Sequence, residues 1–113
     1  MNKFNAKKIK LNNETFDSKK EYKRYCELLI LLRAGKISNL ERQKKFLLIE
    51  TQIKNDGTKE WPVYYVADFT YIDSKGNRII EDVKGLKKGS AYQLFIIKRK
   101  LMLLKYRIEI KEI

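Results

Sequence analysis

The sequence predicts one α/β domain, a mixed sheet flanked by helices, with its elements in the order α-β-β-β-α-β. Two segments repeat apolar residues at helical spacing, and three strand-like segments separated by turn residues lie between them. A last alternating segment follows the second helix. A strand reached from a meander through a helix normally returns beside an earlier strand by a right-handed crossover, which mixes parallel with antiparallel pairing. With 113 residues the chain is long enough for one core and too short for two.

Residues 1–15 are polar and basic and read as an N-terminal arm, irregular or a short edge strand, ahead of a domain at 16–113. Ser18 and Glu21 form an S-x-x-E capping box at the start of the first helix. Tyr22, Tyr25, Cys26, Leu28, Leu29 and Leu32 then make its apolar stripe, and Ala34-Gly35 ends it. Ile37 to Leu40 reads as a connector, Lys45 to Ile49 as a strand, and Lys54 to Lys59 as a turn. A second strand is expected from about Val63 to Ile72, with the only proline, Pro62, at its entrance. Asp73 to Asn77 is a hairpin turn, and Arg78 to Val83 the third strand, closed by Lys84-Gly85. The second helix is expected from about Ala91 to Tyr106 with Leu94, Ile97, Leu101 and Leu104 on one apolar face. Ile108, Ile110 and Ile113 alternate in a final strand.

Composition excludes several kinds of chemistry. Hydrophobic residues make up 43% and charged residues 35%, so the chain can bury a core and is not a disordered tail. There is no histidine, which removes Ser-His-Asp and Cys-His catalysis and histidine-ligated zinc. The single cysteine, Cys26, lies on the apolar stripe and reads as core; it forms no internal disulfide and no cysteine-built zinc site. The opening MNKFNAKKIK lacks the apolar stretch of a signal peptide, so a cytoplasmic protein is expected. A formal net charge of +12, from 26 basic and 14 acidic residues, favours a polyanionic partner, nucleic acid first, over a membrane.

Charges interrupt the central strands where a merely buried hairpin would carry none. Asp82 and Lys84 lie two residues apart and emerge on one face with Ile80, while Ile79, Glu81 and Val83 take the other. Asp68 on the preceding strand approaches Asp82 across the hairpin. Two carboxylates held together repel, a lysine relieves this in part, and a divalent cation bound by hard oxygens, Mg²⁺ with Mn²⁺ able to substitute, resolves it. Such a centre can hydrolyse a phosphodiester. Asp68 and Asp82 would hold the metal with a backbone carbonyl from Val83, Lys84 would orient water or neutralise charge on phosphorus, and Glu21 would add a ligand or position water. Two simpler readings stand beside this one: Asp82 and Lys84 as an exposed ion pair, and Glu21 as nothing more than a capping-box residue.

Asp68, then Asp82-x-Lys84 after a hairpin, with a helix next, resembles the PD-(D/E)XK nuclease superfamily. The runs "FDSKKEYKRYCELLILLRAGKISNLERQKKFLLI", "YVADFTYID" and "IIEDVKG" resemble a small phage-encoded branch known mostly as a domain of unknown function. The resemblance covers about residues 5–113 and keeps element order as well as motif spacing. It implies a restriction-endonuclease-like core, metal-dependent DNA cleavage in a bacterial host cell, and work on branched DNA in recombination or replication, as a Holliday-junction resolvase does. Asp68 takes the first acidic position, Asp82 the second and Lys84 the lysine. Glu21 matches a helical glutamate and Gln43 lies in a "Q-x-K-F" segment. Ala67 stands where the family's motif has proline.

Lys87, Lys88, Lys98, Arg99 and Lys100 place basic charge beside the proposed centre and would meet phosphates without reading bases. Tyr92 would stack on a base or touch a phosphate, or else pack half-buried. Symmetrical cutting of a four-way junction needs two active sites, hence a homodimer. The rival expectations are a DNA-binding protein with this fold that does not cut, and a basic RNA-associated protein.

Overall fold

A computed structural model of the chain describes residues 9–11 and 14–113. Within the expected arm, β1 (Ile9–Leu11) and β2 (Glu14–Phe16) pair antiparallel, and the remainder of the arm lies outside the described residues. The domain then runs α1 (Lys19–Arg33), β3 (Ser38–Ile49), the short pair β4 (Gln52–Ile53) and β5 (Lys59–Glu60), β6 (Val63–Ile72), β7 (Arg78–Asp82), α2 (Ser90–Tyr106) and β8 (Ile110–Glu112). The main sheet has the order β3-β6-β7-β8. β6 runs antiparallel to both β3 and β7, and β8 joins β7 in parallel after the α2 crossover. This is the expected mixed α/β architecture.

Local chemistry accounts for the boundaries of α1. Ser18 caps the helix by accepting from the Glu21 amide at 3.1 Å. At the other end Gly35 adopts a left-handed φ of +71°. That places the Gly35 amide on the Leu32 carbonyl and the Lys36 amide on the Leu31 carbonyl, a Schellman closure with Ala34 as the cap. Asp73 similarly organises the β6–β7 turn, accepting from the amides of Lys75 and Asn77.

Two sequence expectations are corrected. The connector expected at Ile37 to Leu40 is mostly strand: β3 begins at Ser38 and runs well ahead of the expected start at Lys45. It is an edge strand, so the charged residues Glu41, Arg42, Lys44 and Lys45 fit it without an apolar run. The expected apolar face of α2 is the buried one only in part. Phe95 and Met102 are buried and Leu101 packs against the same cluster, whereas Leu94, Ile97 and Leu104 are exposed.

The core forms two clusters, one on each face of the sheet, since the adjacent β7 residues Ile80 and Ile79 go to different ones. Phe46, Leu48, Tyr65 and Ala67 pack with Ile80, Phe95, Met102 and Ile110 on the α2 side. Leu28, Ile37, Phe69 and Tyr71 form the second cluster with Tyr25, Leu31, Leu40 and Ile79 on the α1 side. β3 and β6 contribute to both. Lys44 opposes Ala67 and Arg42 opposes Phe69, so the changeover falls at Gln43 and Asp68, between those pairs. Gln43 has a φ of 52°, a left-handed conformation that costs a non-glycine residue about 1 kcal/mol. β7 lies between β6 and β8 and sends Ile80 into one cluster and Ile79 towards the other.

Candidate active site

The junction between the two half-cores gathers the charged residues singled out in the sequence. β6 and β7 remain paired as far as Phe69 opposite Glu81. One residue further on, the Asp68 carboxylate turns towards β7 and accepts the Val83 amide through Oδ2 at 2.7 Å. Its Oδ1 accepts from Gln43 Nε2 at 3.4 Å. Both donors are neutral, and the buried carboxyl sits near the charge of Asp82. Burial first, then Asp82, push its pKa up to about 7, against smaller opposing contributions from the Val83 amide and Lys84.

Asp82 is buried and faces differently charged company. Tyr65 Oη donates to Oδ2 at 2.7 Å, and Lys84 Nζ lies 2.8 Å from Oδ1. Burial and the Asp82 charge raise the Tyr65 pKa strongly, so the phenol remains a proton donor. The Lys84 ammonium also rests 3.5 Å from the centroid of Phe95, and its carbonyl accepts Lys20 Nζ at 2.6 Å. Asp82 and Lys84 therefore form a buried pair rather than a solvated one.

Glu21 has both a capping and a site role in the geometry. Its amide is the donor to Ser18, but its carboxylate turns inward and is almost fully buried. Oε1 accepts from Arg42 Nη2 and from Gln43 Nε2, each at 3.2 Å. Burial raises its pKa, and the Arg42 hydrogen bond opposes that shift. Gln43 thus bridges Glu21 and Asp68. The left-handed turn at Gln43 is where an outlying backbone conformation coincides with a site contact.

Behind β7 a second buried network ties the site to α1. Glu81 is fully buried. Arg24 grips it with two hydrogen bonds of 2.7 Å, and the Tyr71 hydroxyl donates to the same carboxylate. Arg24 stands one turn beyond Glu21 on α1, and Glu81 is the neighbour of Asp82 on β7. Tyr65, Arg24, Glu81 and Arg42 were not singled out in the sequence. The one available signal was that Glu81 falls on the apolar face of its strand, where a carboxylate needs a partner.

The basic residues expected to meet DNA divide into two groups. Tyr92 donates to Glu112 at 2.7 Å, and Arg99 donates to the same carboxylate at 2.9 Å, so these two fasten α2 to β8, while Lys87 in the loop before α2 lies 3.9 Å from it. Lys98 instead lines an open pocket of ≈ 230 Å³ with Tyr65, Val66, Lys84, Ala91, Leu94 and Phe95, directly beside Asp82. Lys88 and Lys100 are exposed. Among the described residues no three carboxylate or cysteine side chains converge into a preassembled metal cluster. The donor set is a pair, Asp68 and Asp82, with Glu21 behind it. Its all-oxygen chemistry and the repulsion between Asp68 and Asp82 fit a hard divalent cation.

No helix among the described residues is long and apolar enough to cross a membrane. No curated protein and no solved structure matches the chain. A family model does match it, over residues 1–112, and the chain belongs to that family, described as "Protein of unknown function (DUF1064)".

Proposed function

We propose that this chain is a metal-dependent DNA endonuclease of the PD-(D/E)XK kind that works on branched DNA. The observation that carries the reading is the convergence of Asp68, Asp82 and Lys84 at the point where β6 and β7 part, with Gln43 coupling Asp68 to Glu21. A D-x-K tripeptide alone is uninformative, whereas a buried Asp82 beside a half-buried Asp68 whose pKa is pushed up to about 7 is an arrangement concentrated at functional sites.

Asp68 and Asp82 would hold Mg²⁺, or Mn²⁺ in its place, with the Val83 carbonyl as an expected third donor. When bound, such an ion supplies the positive charge the pair lacks, polarises a phosphodiester and acidifies a water. The protein's own part is preorganisation. The Val83 amide fixes Asp68, and Tyr65 fixes one oxygen of Asp82. Lys84, held between Asp82 and the Phe95 ring, presents an ammonium that offsets charge developing on the scissile phosphate. Glu21, its pKa raised by burial, is the group placed to take a proton from a water near Asp68. Lys98 at the rim of the adjacent pocket meets the strand on either side of the cut.

Symmetrical cutting of a four-way junction would engage two copies, one per continuous strand. The test of the substrate class is cleavage of end-labelled four-way junction, linear duplex and single strand, each with Mg²⁺ or EDTA, alongside an RNA duplex at matched salt. Metal-dependent nicking of the junction in preference to the others is the expected result. Cleavage of all DNA forms alike would discard the junction preference. Tight binding with no cleavage in any metal would establish a DNA-binding protein that keeps the fold without the activity.

A further inference from the structure

α2 carries two apolar stripes where a helix lying on a sheet needs one. Tyr92, Phe95, Met102 and Tyr106 pack in the core. Leu94, Ile97, Leu101 and Leu104 follow a second stripe spaced by three, four and three residues, of which Leu101 is half-buried against the core cluster. Leu94, Ile97 and Leu104 are 52%, 57% and 71% exposed. This is the a and d spacing by which one helix seats along another, and the flanking e and g positions within the helix are Lys98 and Lys105 on one side and Lys100 on the other.

We propose that this face of α2 docks an acidic amphipathic helix from a partner protein, with apolar residues at three- and four-residue spacing set between aspartates or glutamates. The charge around the stripe selects that occupant. A second copy of the chain would set the same basic flanks against each other in either helix orientation. The chain's own residues 1–8, MNKFNAKK, hold three lysines and no acid, so they mismatch in the same way. A phosphate backbone would satisfy the lysines but leave three apolar side chains in water. A bilayer surface calls for a wide apolar face, whereas this one is a narrow seam between lysines. α2 is folded before the partner arrives, so ordering falls on the partner alone.

The inference does not use the chemistry at Asp68 and Asp82, although Leu94 and Lys98 at one end of the seam also line the pocket beside Lys84, where a docked helix and DNA would compete. It is tested by fluorescence anisotropy of three labelled synthetic helices, each with leucine at a and d and either glutamate, glutamine or lysine at e and g, titrated with the full chain. Saturable binding of the glutamate peptide is expected, with at least tenfold weaker binding for Ile97→Ser with Leu104→Ser and for Lys100→Gln with Lys105→Gln. The lysine peptide should not bind. All four positions are exposed, and circular dichroism of each variant checks that the fold survives. The proposal is overturned by failure of the glutamate peptide to bind, or by equal binding to wild type and stripe variants. It is equally overturned by a wild-type dimer in sedimentation that Ile97→Ser disperses, or by stripe-dependent partition onto anionic vesicles in the absence of peptide binding.

Discussion

Asp68 is a carboxyl that would rather be neutral, and that preference has a consequence for stability. Its folded pKa of about 7 lies above its ordinary value, so between roughly pH 4 and 7 the native state binds more protons than the unfolded chain. Stability conferred by this group is therefore full below that window and lost as pH rises through it. Thermal melts in EDTA should show wild type losing more midpoint from pH 5 to pH 8 than Asp68→Asn, and Mg²⁺ should restore the difference at pH 8. Equal pH profiles for the two proteins would show that the carboxyl is not held up by its surroundings. Tyr65→Phe is the second test at this scale. Deleting its hydroxyl frees one oxygen of buried Asp82, and the cleavage rate should fall about tenfold while the fold persists. A rate within a factor of two would remove Tyr65 from the site. Asp68, Asp82 and Lys84 were legible in the sequence because charges at those places in a hairpin conflict with burial. Tyr65 was not, because a tyrosine three residues before Asp68 in an apolar strand looks like any other core aromatic.

At the scale of elements, β7 and α1 are joined by the Arg24 grip on Glu81, which also sets where Glu21 sits relative to Asp82. Arg24→Met strands a fully buried carboxylate and should cost about 3–5 kcal/mol in urea unfolding. Arg24→Met combined with Glu81→Gln should recover much of that loss, since the charge is then gone from both sides. No recovery would mean that the pair matters for packing rather than charge. The elements also show which patterns a sequence can mislead with. β3 was only half visible: its first half, SNLERQK, is a solvated edge with left-handed residues at Asn39 and Gln43, and neither apolar alternation nor strand propensity marks it. α2 misled in the opposite way. Residues 94, 97, 101 and 104 and residues 92, 95, 99, 102 and 106 both follow helical spacing, and of the purely aliphatic stripe only Leu101 reaches the core. The aromatic residues and Met102 fill the broad gap over the sheet, with Arg99 turned to Glu112 at its margin.

For the whole molecule, the two half-cores meet at the carboxylates, so the most polar part of the interior is also the seam of the fold. The charge of +12 surrounds that seam with an attractive field for a polyanion. Binding to duplex or junction DNA should weaken steeply with salt, each phosphate contact contributing a slope of roughly −0.9 in log K against log salt. A flat salt dependence would place recognition elsewhere than on the basic surface. The architecture itself followed from the order of apolar patterns. The division of the core did not, because it depends on β3 and β6 changing face at Gln43 and Asp68, where Gln43 takes a left-handed conformation.

The most direct test of the central claim is the nicking of one labelled four-way junction by wild type and by Asp82→Asn, purified identically, in Mg²⁺ and in EDTA. The account predicts cleavage by wild type in Mg²⁺ alone, and at least a hundredfold less by Asp82→Asn although it binds the junction as tightly. Cleavage that survives in Asp82→Asn, or that proceeds in EDTA, would contradict it.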